Sequence, residues 1–298
     1  MIQENKSLLK YHDAKTLARA ISFVENESPG YEDILKQLKF SEAKVIGITG
    51  APGAGKSSLA DALIGEMIAH GKKVGVLCID PSSPFNKGAL LGDRIRMSEW
   101  YNNPNVFIRS LASKGALGGL HPRIVEITDV MKNGGFDYII IETVGVGQSE
   151  IDIASLADIT VLVLVPEGGD IIQTMKSGIM EIADVFVINK YDRPDADSYF
   201  NNVKQMLAPA FHHTKKEIPV LKTIAPQKEG IKELYAILTG AELDDANERK
   251  IELITEKVWQ IIQSKKMKSI NRVAMKNELV KDLKNKDFNL YRFAEKYV

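Results

Sequence analysis

Eight consecutive residues, Gly50-Ala51-Pro52-Gly53-Ala54-Gly55-Lys56-Ser57, match G-x-x-x-x-G-K-[ST] without a mismatch. In such a loop the main-chain N–H groups close around phosphate oxygens, and the positive end of the following helix adds to the attraction. Lys56 would reach the β- and γ-phosphates and act as a catalytic residue, and Ser57 would hold Mg²⁺. The nucleotide-binding set runs from Gly50 through Ser58. Further along, Asn189-Lys190-Tyr191-Asp192 is an N-K-x-D pattern. An aspartate carboxylate accepts from both N1–H and the 2-amino group of guanine, whereas adenine offers neither donor. A site built this way discriminates strongly, because the wrong base leaves the carboxylate unpaired. The Lys190 stem can lie over the base, and Asn189 can tie its loop to the rest of the site. Taken alone, each motif has a bland counterpart, a Gly-rich strand–helix turn and a solvated polar turn. Together they point to GTP and GDP.

Two acidic residues stand where a phosphate site needs them. Asp80, in Ile79-Asp80-Pro81-Ser82-Ser83, would approach the Mg²⁺ shell or orient the attacking water. Glu142 follows Tyr138-Ile139-Ile140-Ile141 in the Walker B position, where a carboxylate supports Mg²⁺. Acidic residues are also common at strand ends and helix caps. Gly145, three residues on, would let the backbone approach the γ-phosphate. Val146 follows it and Gln148 comes two residues later. An aliphatic side chain cannot orient water by hydrogen bonding, so slow intrinsic hydrolysis that rises with a partner is expected. Thr223-Ile224-Ala225 stands where guanine sites carry a Ser-Ala-type loop. Ile224 and Ala225 could still offer main-chain N–H groups to the base, without the serine side chain.

These residues need a scaffold. Apolar runs predict strands over 44–49, 73–79, 106–110, 137–142, 159–165, 184–189 and 219–224, alternating with helical segments. Continuous apolar runs suit a mostly parallel central sheet covered by helices, an α/β phosphate-loop fold with ligand groups at the strands' carboxyl ends. Residues 1–40 read as a helical extension, with Leu17, Ile21 and Val24 on one face and a break at Ser28-Pro29-Gly30. The main domain spans 41–242. Residues 243–298 form a helical arm with Ile251, Ile254, Val258, Ile261 and Ile262 on one face, suited to capping its own domain or, as its length and terminal position favour, pairing with a second subunit.

The balance of 39 basic and 39 acidic residues gives no argument for nucleic acid or an anionic membrane as the main partner, and neither is expected. The single cysteine, Cys78, cannot form an intramolecular disulfide. The opening Met1-Ile2-Gln3-Glu4-Asn5-Lys6 begins neither an export signal nor an amphipathic presequence, so a cytoplasmic protein is expected.

The chain resembles the MeaB/ArgK GTPases, relatives of the methylmalonic aciduria type A protein. The resemblance is carried by Gly50–Ser57, Asp80-Pro81-Ser82-Ser83, Leu91-Gly92-Asp93-Arg94-Ile95-Arg96-Met97, Arg109-Ser110-Leu111-Ala112-Ser113-Lys114-Gly115-Ala116-Leu117-Gly118-Gly119-Leu120, Glu142–Glu150 and Asn189–Asp192. Leu17–Glu25 looks like the family's N-terminal helix. The resemblance implies a SIMIBI-class fold, a homodimer through the C-terminal helices, and a GTPase chaperone for an adenosylcobalamin-dependent acyl-CoA mutase such as methylmalonyl-CoA mutase. It implies that Ser57, Asp80, Asp93 and Glu142 surround Mg²⁺. It also places Lys176 in a third switch segment, as a catalytic or partner-contacting residue. The chain departs from the pattern at Phe85-Asn86-Lys87-Gly88-Ala89 and at Thr174.

Other readings remain open. A metallochaperone GTPase would need His or Cys clusters, and the one adjacent pair is His212-His213. An ATP-driven enzyme conflicts with Asn189–Asp192. A nucleotide-dependent scaffold stays compatible with Val146.

Overall fold

The computed structural model describes residues 13–80, 97–113, 120–145, 153–154, 156–167, 183–214 and 218–240, and, toward the C-terminus, 255, 258–259, 261–263, 265–267, 270–285 and 288–297. Seven strands form one sheet: β1 (Lys44–Gly50), β2 (Val74–Asp80), β3 (Val106–Ala112), β4 (Tyr138–Glu142), β5 (Ile159–Leu164), β6 (Val185–Ile188) and β7 (Val220–Lys222). All seven fall on apolar runs expected to be strands. Their order is β3-β2-β4-β1-β5-β6-β7 and every neighbouring pair is parallel. The mostly parallel, helix-covered sheet expected from the sequence is the one observed.

Burial explains the composition of the strands. β2, β4, β5 and β6 are buried along their whole length, so both faces are mainly apolar, with the carboxylates Asp80 and Glu142 at the ends of β2 and β4. β3, at the sheet edge, is only half-buried over its first five residues. Helices α1 (Ala14–Glu25) and α2 (Tyr31–Lys36) share one core with α4 (Ile124–Lys132) and the strand residues Val45, Leu77, Ile79, Ile139 and Ile141. The alternate strand residues Ile46, Ile48, Val76 and Ile140 are fully buried too, as a sheet covered on both faces requires. Helix α3 (Lys56–Ala69) packs on β1, β2 and β4. Helix α5 (Ala196–Thr214) lays Val203 and Leu207 against Leu162, Leu164, Phe186 and Ile188, and α6 (Ile231–Gly240) packs on α3.

Local chemistry sets the helix ends. Asp13 caps α1, its carboxylate accepting from Thr16 N–H at 3.0 Å. Arg109 on β3 then ties α1 down, donating to Glu25 at 2.6 Å and Ser22 at 3.0 Å.

The chain divides into two compact units, 1–242 and 243–298. The second holds α7 (Arg272–Asp282) and α8 (Leu290–Glu295), capped by Asn271 and Asn289. Among the described residues, no helix is long and apolar enough to cross a membrane.

Candidate functional site

Parallel strands bring their carboxyl ends to one edge of the sheet, and the sequence motifs gather there. β1 lies between β4 and β5, so the loop that leaves Gly50 emerges at the point where the strand order reverses. In that loop Ala51, Pro52 and Gly53 are exposed while Ala54, Lys56 and Ser57 are buried. Ala54 N–H closes a turn on Ala51 O at 3.2 Å, and Gly55, at φ 86°, caps α3. Ser58 is exposed on the first turn of α3. The Lys56 ammonium arches back over the loop, donating to Gly50 O at 2.9 Å and Ala51 O at 3.1 Å. An amine held this way faces the cradle in which phosphate oxygens would sit.

Across the loop stands Gly145, at φ 84°. A Cβ there would lie 2.3 Å from Gly50 O and 2.6 Å from Lys56 Nζ, so only glycine fits so close to the loop and its lysine. Thr143, just before it, is tied to β1 through its hydroxyl, 3.0 Å from that of Thr49.

The Ser57 hydroxyl donates to Glu142 Oε1 at 2.6 Å, and both residues are buried. Glu142 pairs in register with Ile48 on one side and Cys78 on the other. Asp80, two residues beyond Cys78, therefore shares a sheet face with Glu142 and is itself buried. A hydroxyl and two carboxylates form an all-oxygen donor set, which suits a hard cation such as Mg²⁺. Ser57, Glu142 and Asp80 are the described residues that would hold it, and it would neutralise charge on the β- and γ-phosphates. Asp93 and Lys176 lie outside the described residues, as do Val146, Gln148 and the side chains of His212 and His213.

Asn189 joins the phosphate loop to the base-side loops. Its Nδ2 donates to Ala54 O at 2.9 Å, while its Oδ1 accepts from the Thr223 hydroxyl at 3.1 Å and from Ala225 N–H at 3.3 Å. The side chain is buried, so these bonds bear directly on loop geometry. Ala225 is buried and Ile224 half-buried, its N–H donating to Glu229 O at 3.2 Å. The side-chain support that the Ile224 substitution puts in question comes instead from Thr223. Lys190 adopts φ 55° and its ammonium lies 3.7 Å from Glu167, which also meets Arg193 at 3.3 Å. Asp192 is exposed at the sheet edge. Burial first, and then the hydrogen bond to Asp197, push the Tyr191 hydroxyl above its ordinary pKa.

Sequence reasoning missed two contributors: the bonding role of Thr223, visible only as part of the Thr-Ile-Ala stretch, and Glu167, three residues beyond β5.

Comparison with known proteins bears on this geometry. The family model described as "Methylmalonyl Co-A mutase-associated GTPase MeaB" matches residues 17–277. A Pyrococcus abyssi protein named as a GTPase is 41% identical over 309 residues, covering 99% of this chain and 95% of the relative. Escherichia coli GTPase ArgK is 36% identical, covering 78% and 74%. A Caenorhabditis elegans mitochondrial methylmalonic aciduria type A homolog is 34% identical, covering 88% and 72%. The crystal structure of a LAO/AO transport system kinase shares the fold, with a TM-score of 0.62 at 24% identity over 98% of this chain and 95% of the other.

Proposed function

This chain belongs to the MeaB family of GTPases, and we propose on that footing that it is a GTP-hydrolysing chaperone of an adenosylcobalamin-dependent acyl-CoA mutase. It would assist cofactor loading and protect the loaded enzyme. The observation that carries the nucleotide assignment is the Asn189 junction, which links the Gly50–Ser57 loop to the base-side residues through three hydrogen bonds. Lys56 supplies positive charge to the transferred phosphoryl group, and the N–H groups of the loop hold its oxygens. Asp192 selects guanine. Asp80 would approach the Mg²⁺ shell or orient the attacking water. The family description, which names a methylmalonyl-CoA mutase association, supports the client class.

The same reading includes a homodimer built through the C-terminal unit. Val258, Trp259, Ile261 and Ile262 are each more than two-fifths exposed there, an apolar cost that a second copy would remove.

The test is the GTP hydrolysis rate of the purified protein, alone and with cobalamin-dependent mutases of the same organism. Marked acceleration by one mutase is expected and would identify the client. Tight GTP binding with no acceleration by any mutase would move the protein to another client or a scaffold role.

A further inference from the structure

Asp192 is carried on the turn Lys190–Arg193, closed by Arg193 N–H on Lys190 O at 3.0 Å. A guanine-reading carboxylate on an exposed turn must be held from outside the turn, because each of its two hydrogen bonds to the base depends on its position. Ile224, in the loop facing it, brings no hydrogen-bonding side chain. Tyr191, the second residue of the turn, makes connections on three sides. Its N–H donates to Thr223 O at 3.1 Å. Its ring stands edge-on to Phe200, centroids 6.1 Å apart. The Lys222 ammonium lies 4.5 Å from the centre of the Tyr191 ring and 4.6 Å from that of Phe200. The Tyr191 hydroxyl donates to the Asp197 carboxylate, which also meets Lys222 at 3.2 Å.

We infer that Tyr191, Lys222 and Asp197 form a latch that positions Asp192 against the guanine base, which makes Tyr191 a positioning residue for base selectivity. The inference rests on the GTP-binding reading above. An exposed ion pair alone contributes little, and the Asp197 side chain is 82% exposed. The latch draws its strength from combination. One cation is shared by two aromatic faces and a carboxylate, and that carboxylate also accepts from the phenol. The three groups belong to the base turn, to the strand just before Thr223-Ile224-Ala225, and to the first turn of α5. Pulling the turn away breaks together the contacts of Tyr191 to Thr223, Phe200, Lys222 and Asp197.

The test compares GDP with IDP, which lacks only the 2-amino group. A displaced Asp192 loses two hydrogen bonds to guanine but one to hypoxanthine, so misplacement lowers the GDP-over-IDP preference. Dissociation constants for both nucleotides would be measured on the full chain as wild type, Tyr191→Phe, Lys222→Met and Lys222→Arg. The wild type is expected to prefer GDP. Tyr191→Phe and Lys222→Met should each lose about fivefold of that preference, the weight of one good hydrogen bond. Lys222→Arg should retain most of it. The ratio is insensitive to partial unfolding, because a reduced competent fraction weakens both ligands equally. A wild type that discriminates, with Tyr191→Phe and Lys222→Met discriminating equally well, overturns the latch alone. A wild type that binds IDP as tightly as GDP overturns the base-reading assignment, and the latch with it.

Discussion

At the residue scale, the proposed function rests on two buried polar side chains, those of Lys56 and Asn189. Lys56 keeps a charged amine inside the protein by bonding it to Gly50 O and Ala51 O, so its charge stands ready at the loop. Lys56→Met retains the stem and removes the charge. It should reduce GTP hydrolysis on the order of 100-fold, the scale seen when one transition-state donor is lost. Single-turnover kinetics would show this, and a wild-type rate would remove Lys56 from the reaction. Asn189 is the second such residue. Asn189→Ala leaves Ala54 O, the Thr223 hydroxyl and Ala225 N–H without this partner in a buried setting. A loss of about 1–3 kcal/mol of stability is expected, with weakened GDP binding alongside. Thermal unfolding with and without GDP checks both, and unchanged melting would mean that the loops hold one another without Asn189. Both residues were legible from their motifs, because phosphate and base chemistry admits few residue types. The main-chain partners of Asn189, Ala54 O and Ala225 N–H, were not legible, since a main-chain hydrogen bond leaves no mark on the identity of the residue that supplies it.

At the scale of elements, the strands were readable because a parallel strand buried on both faces must be a continuous apolar run. Helix pairing is less visible, and the C-terminal unit shows why. Helices α7 and α8 are joined by Lys296, which meets Glu278 at 3.1 Å and Asp282 at 2.8 Å, and by Tyr297, whose hydroxyl donates to Glu278 at 2.7 Å. The Tyr297 hydroxyl first, and Lys296 after it, hold the Glu278 carboxyl below its ordinary value of 4.5. Asp282 first, and then Glu278, raise Lys296 above 10.5. A depressed carboxyl contributes stability above its unfolded pKa and loses it as pH falls through the folded value. A raised lysine contributes below its unfolded pKa and loses that as pH rises through the folded value. The α7–α8 pairing should therefore hold between these limits and loosen in acid. Amide exchange along α8 should quicken as pH drops below 4.5, relative to α3. Glu278→Gln should flatten that dependence. An unaltered acid profile in this variant would show that the Glu278 carboxylate does not carry the acid response.

At the scale of the whole molecule, nucleotide chemistry and proposed assembly fall in different units. Every described residue of the candidate site lies within 1–242, and the exposed apolar residues Val258, Trp259, Ile261 and Ile262 lie in 243–298. This separation makes the two properties independently testable. Sedimentation of the full chain should show a dimer. Trp259→Asp combined with Ile262→Asp should give a monomer that still binds GDP, because charges are expensive to bury at an apolar interface. A dimer that survives both substitutions would relocate the interface.

The sequence by itself determined the seven strands, the phosphate loop and the base motif. Each is encoded locally, by an apolar run or by a spacing that chemistry demands. The position of these pieces relative to one another was decided in three dimensions. That β4 inserts between β1 and β2, and so brings Glu142 onto Ser57, follows from strand order and register. That Thr223 supports Asn189, and Lys222 reaches the Tyr191 ring, follows from the closeness of parallel strand ends. Those contacts join residues far apart in the chain, and their energies depend on distance and burial, which exist only once the sheet has formed.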